Sequence, residues 1–186
     1  MGDLGQQRVA DLDDTRAEAA PVALHEIVAR TYDQHGASLF RYALMILANR
    51  AAAEDAVQQA FTKVLGQDSG GAALECPVAY LRTAVRNECY TALRRRRREP
   101  EAAQEPELLE AVAPRPADEG ERRALERALR ALSPEQREVL HLKVYEGWTF
   151  RELAAIWGES INTVASRYRY GLDKLRARLK FEGYGR

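Results

Sequence analysis

Two helix-start signals of one kind leave the stretch from Ser133 to Leu179 little choice of fold. Ser133-Pro134-Glu135-Gln136 and Thr149-Phe150-Arg151-Glu152 both read as capping boxes. In each, the hydroxyl accepts from a backbone N–H three residues on, while the Gln or Glu reaches back to the cap. Pro134 sits where a first helical turn tolerates proline. Thr149 is expected to open a short helix with Leu153, Ala154, Ile156 and Trp157 inward. Gly158 then allows a sharp turn, and Ser160 can cap a second, longer helix. Short helix, glycine turn and long helix make a helix-turn-helix pattern.

The longer helix has two faces. Ile161, Val164, Tyr168, Leu172, Leu175 and Leu179 form an apolar stripe at steps of three and four. Thr163, Ser166, Arg167 and Tyr170 fall roughly opposite, and Lys174 continues that face. From Asn162 to Lys180, Arg167, Arg169, Lys174, Arg176, Arg178 and Lys180 stand against a single acid, Asp173. Charged faces are often only solvated. Two capped helices meeting at a turn glycine favour a helix that enters a major groove.

The formal net charge of the 186 residues is zero, but the charge is unevenly placed. Residues 1–98 carry 13 basic and 12 acidic side chains, residues 99–121 one and eight, and residues 122–186 14 and eight. Local charge, not the sum, sets the field a phosphate backbone meets. The hydrophobic fraction of 46% and charged fraction of 30% describe a globular chain. No apolar run has membrane-spanning length and no signal-peptide layout opens the chain, so a cytoplasmic protein is expected. Cys76 and Cys89 fit neither a zinc spacing nor a disulfide framework. His25, His35 and His141 are scattered, and are expected at the surface or core edge without metal or other cofactor.

Taken in order, residues 1–21 are polar and acidic, either a flexible leader or a loose helix. Helical patterning starts at Val22, with Leu24, Ile27, Val28, Leu39, Phe40, Ala43, Leu44, Ile46 and Leu47 apolar. His35-Gly36-Ala37 either breaks this helix or is absorbed by it. From about Ala52 to Leu65, Ala53, Ala56, Val57, Ala60, Phe61 and Val64 line one side. Asp55, Gln58, Gln59, Thr62 and Lys63 line the other. A glycine-rich loop at 66–71 follows. Pro77 opens a helix of about Val78 to Arg97, apolar at Tyr80, Leu81, Ala84, Val85, Cys89 and Leu93. It projects Arg82, Arg86, Asn87 and Tyr90 from its other sides and closes in Arg94–Arg98. Mixed aromatic and arginine side chains suit stacking on bases and pairing with phosphates; an arginine run also suits a helix C-terminus. Residues 99–121 hold four of the seven prolines and eight acids, the composition of an extended linker with a turn of helix at Leu108-Leu109. Ala124, Leu125, Ala128, Leu129 and Leu132 then make a helix leading into Ser133. The expected fold is all-α: two small helical domains joined by an acidic, proline-rich linker, the second a helix-turn-helix.

Ala53-Glu54-Asp55-Ala56-Val57-Gln58-Gln59-Ala60-Phe61 is similar to the A-E-D-x-V-Q-x-x-F signature of the extracytoplasmic-function class of bacterial sigma factors. Pro77–Asn87 resembles that family's P-x-x-W/Y-L-x-x-x-x-R-N segment. Leu132–Leu140, Glu146-Gly147 and Thr163-Val164-x-Ser166-Arg167 resemble its second domain. The motifs occur in order over about Leu24–Arg98 and Ala124–Leu179. The resemblance implies sigma region 2 at 22–98, the linker at 99–121 and sigma region 4 at 122–186. It implies a non-catalytic factor that carries core RNA polymerase to promoters. Asp55, Gln58, Gln59 and Thr62 would dock on the β′ clamp, and region 4 on the β flap. Tyr80, Arg82, Arg86, Asn87, Tyr90, Arg94 and Arg95 would recognise and help melt the −10 element. Ser160, Asn162, Thr163, Ser166, Arg167, Arg169, Tyr170 and Lys174 would meet the −35 element. An anti-sigma factor is an expected partner, and a small-molecule substrate is not.

Departures from the pattern are Tyr80 where tryptophan is frequent, Glu159 where an apolar residue is common, and Ala165 in place of a basic residue. Two other classes compete. A dimeric helix-turn-helix regulator would carry a sensor or dimerisation domain in place of the Ala53–Phe61 signature. A sigma mimic that titrates an anti-sigma factor would not need the basic helix face or the arginine run. An enzyme is not expected, since no nucleophile–base pair, metal cluster or phosphate loop stands out.

Overall fold

A computed structural model describes residues 7–66, 77–98, 108 and 119–184, with side chains from Leu24 onward. The helices are α1 (Gln7–Leu47), α2 (Arg50–Gly66), α3 (Pro77–Arg98), α4 (Glu119–Arg130), α5 (Pro134–Val144), α6 (Phe150–Trp157) and α7 (Ile161–Phe181). No strand occurs among the described residues. The glycine-rich loop beyond Gly66, Cys76 and most of the acidic linker lie outside them.

Helix α1 absorbs His35-Gly36-Ala37 without a break and takes in residues 7–21, so of the two readings of the leader the helix holds there. A single mid-helix glycine costs only about 1 kcal/mol relative to alanine. Burial of Leu39, Tyr42, Ala43, Leu44, Met45, Ile46 and Leu47 offsets that many times over. The helix ends where Ala48 turns left-handed at φ 50°, its N–H donating to Leu44 O at 2.8 Å. Asn49 then starts α2, its Oδ1 accepting from the Ala52 N–H at 2.8 Å.

Helix α2 follows its pattern closely. Ala53, Ala56, Val57, Ala60, Phe61 and Val64 are all buried, while Asp55, Gln58, Gln59, Thr62 and Lys63 are exposed. In α3, Leu81, Val85 and Cys89 are buried, with Tyr80, Ala84 and Leu93 packed beside them. Burial next to Glu138 and Glu88 pushes the Cys89 thiol pKa well up, so it stays an inert packing group. Helices α1, α2 and α3 pack mutually as one bundle.

The second bundle starts at Glu119, within the expected linker. Glu119 and Glu121 in the first turn of α4 complement the helix dipole. Leu108, the one described residue between Arg98 and Glu119, is in a 3₁₀ conformation with no exposed surface, and its N–H donates to Glu126 Oε1 at 3.3 Å. Both capping boxes form: Ser133 and Gln136 bond reciprocally, as do Thr149 and Glu152. Gly158 adopts φ 65° and ψ 31°, a left-handed turn that costs a residue with a Cβ about 1–2 kcal/mol. Ser160 Oγ accepts from the Thr163 N–H at 3.0 Å and starts α7.

Two expected inward residues face outward. Ile156 is 51% exposed, because the buried line of the two-turn α6 runs through Leu153, Ala154 and Trp157 and leaves Ile156 about 100° from Trp157. Ile161 is 47% exposed in the first turn of α7, about 60° round from the buried Val164. The α7 stripe instead includes Gly171. A Cβ there would lie 3.2 Å from Gln136 Cβ and 3.3 Å from Leu140 Cδ1, so its absence lets α7 approach α5 closely.

Helix α5 is the interior element. Arg137, Glu138, Val139, Leu140, His141 and Leu142 are consecutively buried, and α5 packs on α1 of the first bundle as well as on α7. One apolar cluster therefore runs from Leu24 to Val164 through both bundles.

Candidate nucleic-acid interface

Three surfaces carry the expected contacts. On α7, Thr163, Ser166, Arg167 and Tyr170 share a face, with Asn162, Ser133, Glu135 and Gln136 lining the same open groove of about 620 Å³. Ser160, Asn162, Thr163, Tyr170 and Lys174 are exposed, while Ser166 and Arg167 are half-buried. Arg167 Nη1 lies 2.7 Å from Glu159 Oε2, so the acid after the turn glycine steadies this arginine at the groove rim. Arg169 sits on the flank, its guanidinium 5.2 Å from the Tyr170 ring centre.

On α2, Asp55, Gln58, Gln59 and Thr62 stand exposed together. Asp55 and Gln59 border a groove of about 240 Å³ whose far wall is Arg95, Arg96, Glu88 and Thr91 of α3. The arginine run thus lies beside the acidic helix face. Gln58 and Thr62 border a second groove with Tyr32, Phe40 and Phe61.

Helix α3 differs from its sequence pattern. Asn87, Arg94 and Arg95 are exposed, and Arg94 Nη2 donates to Thr91 Oγ1 at 2.8 Å. Tyr80 packs against the core. Arg82, Arg86 and Tyr90 do not project freely, because α5 and the α5–α6 turn cover them. Glu138, 1% exposed, accepts from Tyr42 Oη at 2.5 Å, Arg86 Nε at 2.7 Å, Arg86 Nη2 at 3.3 Å and Tyr90 Oη at 2.7 Å. That set matches the acceptor capacity of a carboxylate. Burial first, and then the Glu138 charge, pushes both tyrosine pKa values well up, so both stay protonated donors. Arg82 pairs with Glu146 and stacks 5.3 Å from the Trp148 ring centre; Arg86 lies 5.1 Å from that of Trp157.

The neighbouring Arg137 closes the contact from the other side. Its Nε and Nη2 donate to Met45 O at 2.6 Å and Ile46 O at 2.8 Å, and its Nη1 to Leu132 O at 2.7 Å. It thereby caps carbonyls in the last turn of α1, which has no basic residue of its own there. Burial lowers its pKa to about 10, still charged at neutral pH. His141, expected near the surface, is 3% exposed. Burial, then Arg82 and Arg41, lower its pKa to about 4, and Glu146, 3.4 Å away, has its charge committed to Arg82. None of Tyr42, Arg137, Glu138 or Glu159 was legible as a site residue. Their partners are remote in sequence or depend on a rotamer.

The chain matches the family described as Sigma-70 region 2 over residues 31–99, and that described as Sigma-70, region 4 over residues 122–175. It is 30% identical over 188 residues to the ECF RNA polymerase sigma factor SigL of Mycobacterium tuberculosis (strain ATCC 25618 / H37Rv), covering 92% of this chain and 99% of that protein. This chain is an extracytoplasmic-function sigma factor. It is 31% identical over 164 residues to the RNA polymerase sigma factor CarQ of Myxococcus xanthus, with 86% of this chain and 90% of CarQ covered. Among solved structures it resembles the sigma factor RpoE in a co-crystal with the anti-sigma factor NepR from Bartonella quintana. That likeness has 26% identity and a TM-score of 0.56 over 90% of this chain and 97% of that one. As a sigma factor the protein binds RNA polymerase and promoter DNA and directs transcription initiation. Among the described residues no helix is long and apolar enough to cross a membrane, and no group of three or more His, Cys, Asp or Glu could hold a metal.

Proposed function

We propose that residues 22–98 and 122–186 are the two working units of this sigma factor, spaced by the 99–121 linker, with a separate task for each surface. Asp55, Gln58, Gln59 and Thr62 of α2 dock on the β′ clamp of core polymerase. Tyr80, Arg82, Arg86, Asn87, Tyr90, Arg94 and Arg95 of α3 engage the −10 element as its strands part, with aromatic and guanidinium groups stacking on bases. The α7 face of Ser160, Asn162, Thr163, Ser166, Arg167, Arg169, Tyr170 and Lys174 meets the −35 element in the major groove, while region 4 rests on the β flap. The acidic linker runs through the basic RNA-exit region of the polymerase. An anti-sigma factor covers these surfaces until a signal releases it.

The observation that carries this assignment is the α7 face. Four polar or aromatic side chains at helical spacing border one open groove behind a left-handed glycine turn and a serine cap. The α2 face supports the polymerase contact, since it leaves its polar side chains exposed above a fully buried apolar stripe. The test is Asp55→Ala. Affinity for core polymerase should fall about tenfold or more, on the scale of a lost charged interface contact, while binding of the free protein to a −35 duplex stays unchanged. If both fall together, the division of tasks between the surfaces is wrong.

A further inference from the structure

We propose that Glu159 is a positioning residue that sets Arg167 to read a base, so that α7 rejects duplexes lacking its −35 sequence. The inference rests on the assignment of α7 to that element. Both departures of the helix-turn-helix from the family pattern lower its positive charge: Glu159 stands for an apolar residue and Ala165 for a basic one. Of the basic side chains of α7, Arg169, Lys174, Arg176, Arg178 and Lys180 are exposed, and Arg167 alone is half-buried. Its partner accounts for the difference. Glu159 Oε2 is shielded from solvent, and Arg167 Nη1 is the cation beside it, 2.7 Å away. The acid is itself held in place, because its N–H donates to Ala154 O at 3.0 Å across the left-handed Gly158 turn.

Turning Arg167 toward a phosphate would strand that oxygen, and an ionised group left shielded without its partner is costly. The pair therefore resists the non-specific, salt-sensitive phosphate contacts that the exposed Arg169 and Lys174 can make. A guanidinium held through Nη1 still presents its Nε and Nη2 edge. Two parallel donors are what guanine O6 and N7 accept in the major groove, so a guanine of the upstream block is the ligand this arrangement fits. Glu135 borders the same groove and adds a second carboxylate to its wall. Positive charge is thus offset around Arg167, and binding there depends on a matching base more than on the backbone.

The test uses holoenzyme assembled from core polymerase and the full chain, with two duplex probes. One carries the upstream block of a promoter it transcribes; in the other that block is scrambled. Affinity for both is measured across a salt series. Glu159→Gln keeps the shape of the side chain and removes its charge, and Glu159→Val restores the apolar residue of the family pattern. Each should bind the scrambled duplex more tightly, with a salt slope steeper by about 0.9, the worth of one added phosphate contact. The affinity ratio between the two duplexes should fall about fivefold or more, the low end of what one bidentate arginine contact supplies. In an Arg167→Ala background, Glu159→Gln should change neither ratio nor slope, whereas general repulsion of DNA by the acid would act there too. Unchanged ratio and slope in the single variants would overturn the inference, and so would equal shifts with and without Arg167. If Arg167→Ala binds both duplexes as the wild type does, the −35 assignment itself falls, and the role of Glu159 falls with it.

Discussion

Replacing Arg137 by methionine keeps most of the side-chain stem and removes only the guanidinium, which isolates the tie between region 4 and the end of α1. Three carbonyls lose a charged donor: Met45 O and Ile46 O in the last turn of α1, and Leu132 O before the Ser133 cap. Hydrogen bonds from a charged group contribute about 1.5–3 kcal/mol each. Against that gain stands the burial cost of the cation, which is 5% exposed. Its pKa, pushed down to about 10, corresponds to a cost of roughly 3 kcal/mol. The balance is a net loss of about 1–5 kcal/mol on substitution, limited by water reaching the freed carbonyls if the domains part. Urea unfolding followed by far-UV circular dichroism measures it. The wild type should unfold in one transition, since one apolar cluster runs through both bundles. The variant should lose stability and broaden or split as the bundles uncouple. A loss under about 0.5 kcal/mol with an unchanged urea slope would refute the role given to Arg137.

Protonation of His141 should weaken the same seam. Its folded pKa of about 4 lies below the unfolded value, so its stability contribution is complete above about pH 6.5 and is lost as pH falls toward 4. Unfolding free energy should drop by roughly 3 kcal/mol across that window, and His141→Leu should flatten the slope; an equal slope in that variant would assign the effect elsewhere. Gly158→Ala, at φ 65°, should cost about 1–2 kcal/mol of thermal stability, and a neutral effect would mean the turn can relax. Arg167→Ala should weaken binding to a −35 duplex by about 1–3 kcal/mol, and unchanged affinity together with an unchanged salt slope would remove this residue from the interface.

Local physics made much of the fold legible. The six buried residues of α2 and its exposed polar face were readable from spacing alone, because a helix packed on one side sorts side chains by angle. The two capping boxes and the left-handed Gly158 depend on bonds within four residues, and all formed as their sequences dictate. Legibility failed where contacts span the chain. Glu138 lies 96 residues from Tyr42, 52 from Arg86 and 48 from Tyr90. Periodicity places a charged residue on a helix face but does not say that the opposite domain covers it. Ile156 and Ile161 failed for a milder reason: at the edges of short or starting helices, an apolar side chain about 60–100° off the stripe is not covered. Gly171 was invisible as a packing position because a missing side chain leaves no hydrophobic mark. For the sites, motif spacing marked which helix face meets a partner. It could not show that Arg82, Arg86 and Tyr90 are already engaged.

The central claim is that this chain gives core RNA polymerase its promoter choice through two separated DNA contacts. Sequencing the 5′ ends of transcripts made in vitro from genomic DNA by core polymerase plus the purified protein tests it most directly. The account predicts transcripts starting at discrete positions, each preceded by two shared sequence blocks at constant spacing, and absent when the protein is omitted. Failure of the protein to bind core enzyme, or transcripts with the same start sites with and without it, would contradict the account.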